Sequence, residues 1–143
     1  MAKKETQKKD IIVVSTGKRK TSVARARVKP GLGKVIINDI PLDLWQPEFA
    51  RIKIREPLLL ANEFSQKVDI KVNVRSGGIS SQADAIRQAI AKGMVEFFND
   101  EKLKKIYLEH DRNLLVYDSR RTEPHKPSRS RKGARRHKQR SKR

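Results

Sequence analysis

Cysteine is absent from the 143 residues, which excludes a disulfide framework, a thiol nucleophile and Cys-ligated zinc. Aromatic residues make up only 5% of the chain, and none falls between positions 119 and 143. The C-terminal segment therefore has no platform for stacking single-stranded bases. Long apolar runs are missing too. The longest strongly apolar stretches, such as Ile11 to Val14, reach about four residues, far short of the roughly 20 of a membrane helix. The Lys-rich N-terminus has no apolar segment behind it and does not read as a secretory signal. Acid is scarce: 16 Asp and Glu face 35 Lys and Arg, for a net charge of +19. The expectation is a soluble, cytoplasmic protein whose partner is a polyanion.

The charge is concentrated at the two ends. Residues 1–38 carry a net +9, residues 39–118 a net −1, and residues 119–143 a net +11. A nearly neutral middle between two cationic ends reads as a globular body with electrostatic contacts at defined places. The division expected is a basic N-terminal arm over 1–10, a body over 11–118 and an extended basic tail over 119–143. Ala134 is the only apolar residue of that tail, so the tail alone cannot offset the entropy of ordering. Its 25 residues could span about 80 Å fully extended, or roughly 30 Å as a coil.

Within the body, Ile11 to Ser15 is β-branched and predicts a strand. Gly17 to Lys20 predicts a turn or bulge. From Thr21 to Lys29 the parity alternates, with Ala24, Ala26 and Val28 on one side and Val23, Arg25, Arg27 and Lys29 on the other. Pro30-Gly31 is a turn signal, Gly33 to Ile37 a short strand, and Asn38-Asp39 its turn. These three strands suggest an antiparallel meander. Pro57 interrupts the helical spacing of Phe49, Ile52 and Arg55, which predicts two short helices meeting near Glu56. Lys67 to Arg75 alternates most clearly of all. Ser81, three residues before Asp84, has the form of a capping box opening a helix over 81–98. A shorter helix follows Asn99-Asp100. The fold class expected is α+β: a two-layer sandwich of a roughly four-stranded sheet with helices on one face, plus the tail.

No catalytic constellation stands out. His110, His125 and His137 lack a partner at metal-ligand spacing, and no metal or cofactor is called for. Glu109 and Asp111 read as solvated carboxylates at a helix end. Gly31-Leu32-Gly33-Lys34 has only a superficial likeness to a phosphate-cradling loop, and a hairpin turn fits it better. Gly77-Gly78 before a helix admits two readings, a phosphate-binding helix N-terminus or simply a tight turn.

The cationic runs carry the functional signal. Lys18, Arg19, Lys20, Arg25 and Arg27 occur with no acid between Ile11 and Asn38. In the tail, Arg120, Arg121, Arg129, Arg131, Lys132, Arg135 and Arg136 accompany the single acid Glu123. Arginine suits bidentate phosphate contact, and the shortage of aromatics favours the backbone of folded RNA. Composition alone also suits a free-standing nucleic-acid chaperone or compacting protein. An RNA-modifying enzyme would need an acid, base or cofactor site in the body, and the sequence offers none.

The motifs taken together resemble the universal small-subunit ribosomal protein nine family. The resemblance rests on Gly17-Lys18-Arg19-Lys20-Thr21-Ser22-Val23-Ala24-Arg25-Ala26-Arg27-Val28, on Gly31 to Lys34 and Asn38, and on Val72 to Gly78 with Gln82 to Arg87. Asp118-Ser119-Arg120-Arg121, Ala134-Arg135-Arg136 and Gln139 to Arg143 complete it. The spelling is of the archaeal type: Ser76 stands where bacterial members typically have a third glycine, and Arg140 where they have an aromatic. The resemblance implies a structural, non-enzymatic constituent of the small-subunit head. It implies contact of Lys18 to Arg27 and the proximal tail with 16S rRNA, and contact with other head proteins. The tip, Arg140, Ser141, Lys142 and Arg143, would reach the tRNA in the peptidyl site.

Overall fold

The computed structural model describes residues 11–134. Its first strand, β1 (Val13–Arg19), pairs antiparallel with β2 (Ser22–Pro30) across a turn at Lys20 and Thr21. The predicted turn or bulge over Gly17 to Lys20 is thus confined to its last residue. Gly17 lies inside β1 opposite Ala24, and Lys20 alone takes a left-handed φ, of 52°. Gly17 serves a different purpose: a Cβ there would lie 2.0 Å from the Ala85 carbonyl oxygen of a helix packed on the strand.

The meander does not form. β3 (Val35–Ile37) runs parallel to β5 (Val68–Arg75), and β2 pairs antiparallel with the opposite edge of β5. With the two-residue β4 (Ile40–Pro41), the described residues form a sheet of five strands, one more than expected, in the order β1-β2-β5-β3-β4. The loop after Pro30 is accordingly not a hairpin. It crosses the start of β5, where the Gly31 N–H donates to the Lys67 carbonyl at 3.0 Å and the Gly33 N–H to the Val68 carbonyl at 3.1 Å. These partners lie more than thirty residues away, so local turn chemistry could not reveal them. Asn38 and Asp39 do form the β3–β4 turn, with φ of 47° and 67°, the left-handed pair that a two-residue hairpin requires.

Among the described residues, the three α-helices cover one face. Residues 48–61 form a single helix, α1 (Glu48–Ala61), rather than two meeting near Glu56. Pro57 is buried within it, and the Tyr107 hydroxyl donates to the Pro57 carbonyl at 2.8 Å. Burial of Ile54, Pro57 and Ala61 outweighs an intrinsic cost of about 3 kcal/mol for an interior proline. α2 (Ile79–Phe98) starts two residues before the predicted position. Gly78 is its N-cap, without a side-chain cap, and Asp84 pairs with Lys53 Nζ on α1 at 3.2 Å instead of completing a capping box. α3 (Glu101–His110) begins where expected, with the Asp100 carboxylate accepting the Lys102 N–H at 2.8 Å.

The sandwich closes between α2 and the sheet. Ala24, Ala26, Val28, Ile70, Val72 and Val74 meet Ile86, Ala89, Ile90 and Met94 in one core. Seating is closest on β1, where the Ser15 hydroxyl donates to the Ala89 carbonyl at 2.7 Å. The two-layer α+β architecture follows from the parities read in β2 and β5.

Substituting Gly17→Ala would push a methyl group into the α2 backbone. We expect a loss of roughly 1–3 kcal/mol, as for other overpacked sites, read as a lower urea midpoint at unchanged m-value.

Candidate nucleic-acid interface

The face of the sheet away from the helices is open. Alternation puts Val14, Thr16 and Lys18 of β1 there, with Val23, Arg25 and Arg27 of β2 and Lys71, Asn73 and Arg75 of β5. The register aligns them in rows: Lys18–Val23–Arg75, Thr16–Arg25–Asn73 and Val14–Arg27–Lys71. Neighbouring strands lie about 4.8 Å apart, and same-face residues along a strand about 7 Å. Part of this surface is a shallow concavity lined by Arg25, Arg27, Lys71, Arg75 and Ser76. Lys71 pairs with Asp39 at 2.6 Å. Arg25, Arg27 and Arg75 make no ion pair among the described residues.

Of the candidates read from the sequence, Lys18, Arg25 and Arg27 therefore share the open face, and Lys20 sits exposed in the turn at one end of it. Arg19 has the opposite parity. Its guanidinium turns toward the helix side and pairs with Asp118 at 3.2 Å. Arg120 is also bound to Asp118. Arg121 is exposed and donates to the Tyr117 hydroxyl at 3.2 Å. Arg129, Arg131 and Lys132 are exposed along a run of turns. Arg135, Arg136, Arg140, Ser141, Lys142 and Arg143 lie outside the described residues, as do the N-terminal arm and His137. Sequence reasoning missed Lys71 and Arg75. Their parity within β5 was legible, but only the β2–β5 pairing shows that they continue the cationic face.

Two glycine motifs resolve differently. The Gly31 to Lys34 loop does hold an anion, but it is the protein's own. Asp69 Oδ1 accepts the N–H groups of Leu32 and Lys34 at 2.9 and 3.0 Å. These hydrogen bonds, the one from Lys34 first, hold the Asp69 carboxyl below the ordinary carboxylate range. At Gly77, φ is 75° and a Cβ would lie 2.0 Å from Ser22 Oγ, so close packing and backbone conformation both demand glycine. Gly78 borders open space, beside the uncapped first turn of α2. Both the tight turn and an open helix N-terminus are present.

Of the two carboxylates at the end of α3, Glu109 is exposed as expected and Asp111 is structural. Asp111 accepts from the Arg87 guanidinium and, at 2.8 Å, from the Asn113 N–H, so it is not the solvated group the sequence suggested. Glu56 joins Arg87 at 2.8 Å and His110 at 2.6 Å. Among the described residues no group of His, Asp and Glu is placed to hold a metal ion.

The fold and site define a small α+β sandwich with an open, largely cationic sheet face and a basic extension. The comparisons with known proteins narrow that class. A family model described as Ribosomal protein S9/S16 matches residues 17–143. The small ribosomal subunit protein uS9 of Desulfurococcus amylolyticus is 56% identical over 80% of this chain and 82% of its own length. That of Pyrobaculum aerophilum is 54% identical over 81% and 82%. The protein of the same name from Methanococcus maripaludis is 48% identical over 91% and 97%. The chain belongs to the ribosomal protein S9/S16 family. It is a structural component of the cytoplasmic ribosome, not an enzyme.

The lowered Asp69 value sets a pH dependence. A carboxyl depressed in the folded state stabilises the protein above the ordinary carboxylate range, and that contribution is lost as pH falls through the range to the folded value. Asp69→Asn is expected to lower the urea midpoint at pH 7, with the gap from the parent closing as pH falls below about 4.

Proposed function

We propose that the chain binds rRNA in the head of the small subunit through its open sheet face and proximal tail, and touches peptidyl-site tRNA through its tip. In this reading residues 11–118 are the docking body, and 1–10 and 119–143 are basic arms. Lys18, Lys20, Arg25 and Arg27, joined by Arg75, neutralise crowded rRNA phosphates. Arg121, Arg129, Arg131, Lys132, Arg135 and Arg136 continue that contact along the tail. The observation that carries the proposal is the set of Arg25, Arg27 and Arg75 on one sheet face without an acid partner among the described residues. Solvated faces of stable proteins usually intersperse both signs. A face left uncompensated favours a polyanion that supplies the missing charge.

Each phosphate contact releases condensed counterions, so affinity falls steeply with salt. The tail orders as RNA wraps it, coupling its folding to subunit assembly. At the tip, Arg140, Ser141, Lys142 and Arg143 offer charge-assisted contacts that carry no base information, as suits a site accepting every tRNA. The exposed Leu44, Phe49, Ile52 and Leu59 along and before α1 offer an apolar surface to neighbouring proteins of the subunit.

With a transcript of the small-subunit rRNA, Arg27→Ala and Arg75→Ala should each weaken binding and reduce the log–log salt slope by about 1. Unchanged slopes would refute the open-face assignment. Removing Lys142 and Arg143 should leave subunit assembly nearly intact and weaken tRNA binding in the peptidyl site, measured by filter binding to purified particles. Equal tRNA affinity in truncated and full-length particles would sink the tip assignment.

A further inference from the structure

The sequence presents Asp118 as one acid at the root of a tail that otherwise carries almost only cations. An acid there repels the polyanion that the tail would meet, so its surroundings bear on its purpose. Its carboxylate lies where the chain leaves the body. Arg120 grips it through Nε at 3.1 and 3.0 Å from its two oxygens and through Nη2 at 2.7 Å from Oδ2. The Arg120 backbone N–H adds a bond of 3.0 Å. From the body side, Arg19 Nη1 approaches Oδ2 at 3.2 Å and donates to the Arg120 carbonyl at 3.3 Å. Arg19 and Asp118 also pair as an isolated parallel β-bridge.

The approach to this clasp is tied down as well. Gln88 of α2 is buried. Its Nε2 donates to the Val116 carbonyl at 2.8 Å, and its Oε1 accepts the Lys18 N–H at 2.9 Å. Body and departing chain are therefore stitched together from residue 114, which is buried, to residue 120. Beyond Arg121 the described chain, up to residue 126, forms neither helix nor strand. The clasp thus ties the tail to β1 at the point where regular secondary structure ends. The hydrogen bonds of Arg120 hold the Asp118 carboxyl far below the ordinary carboxylate range.

We infer that Asp118 is a positioning residue: it fixes the direction in which the basic tail leaves the body, and Arg19 and Arg120 serve this clasp rather than a phosphate. The inference rests on the reading that the tail binds rRNA. Its sign distinguishes it from charge alone. Asp118→Asn removes a negative charge, which by electrostatics should tighten binding to a polyanion. A lost aim instead weakens binding, because a free tail must be ordered at each encounter.

The absence of native cysteine allows a clean test. Thr122→Cys provides a single tether for an iron–EDTA probe just beyond the clasp. Bound to a small-subunit rRNA transcript, this parent should cleave one confined stretch of RNA by hydroxyl radicals. Asp118→Asn in the same background should spread or shift the cleavage and weaken affinity several-fold. Arg120→Gln, which opens the clasp from the other side, should do the same, and Asp118→Glu should largely restore the parent pattern. An unchanged cleavage pattern with equal or tighter binding in Asp118→Asn would overturn the positioning role and leave the rRNA reading intact. A parent that shows no salt-dependent binding to the transcript would overturn both.

Discussion

The close seating of α2 on β1 and β2 is the contact from which the rest of the structure follows. It requires little bulk on either side: Gly17, Ala24 and Ala26 on the sheet, Ala85, Ala89 and Gly93 on the helix. Each atom pair there contributes little, but the sum over a dense interface is large. Since side chains alternate along a strand, giving the inner positions of β2 to small residues leaves Arg25 and Arg27 on the outside. A packing demand on one side of the strand thus sets where charge can stand on the other. The pairing of β2 with β5 then carries Lys71 and Arg75 onto the same surface.

Whatever depended on side-chain parity was legible before the structure. The inner Ala24-Ala26-Val28 face, the alternation of Val68 to Val74, the helix ending at Phe98 and the Asn38-Asp39 turn all follow from spacing or local turn chemistry. What depended on distant partners was not. Nothing near Pro30 reports that β5 will slot in beside β2, and no neighbour of Pro57 reports that Tyr107 and the core will hold α1 together across it. Gly17 in a charged stretch has the look of a turn residue because the sequence cannot display the helix backbone lying against it.

The candidate site divides along the same line. Charge clustering named Lys18, Arg19, Arg25, Arg27 and Arg120 alike; the structure puts Lys18, Arg25 and Arg27 on the open sheet face and pairs Arg19 and Arg120 with Asp118, remote from one and adjacent to the other. In a chain so rich in cations, the informative side chains are the few acids. Asp118, Asp69 and Asp111 each take several hydrogen bonds, and each marks a cation or loop committed to structure. Arg25, Arg27 and Arg75 have no such partner among the described residues.

The Asp69 cradle also has a bearing on the molecule's electrical shape. Asp69 sits beside Lys29 and Lys34 at the end of the sheet where β2 finishes and β5 begins. By sheltering a permanent anion among those lysines, the Gly31 to Lys34 loop damps the potential at that extremity. At the far extremity, Lys18, Lys20 and Arg75 gather beside an uncapped helix start, and the carboxylate embedded there, Asp118, is held by Arg19 and Arg120. Each end of the sheet thus keeps one carboxylate committed to the protein's own donors, and the cations of the open face between them are left uncompensated at Arg25 and Arg27.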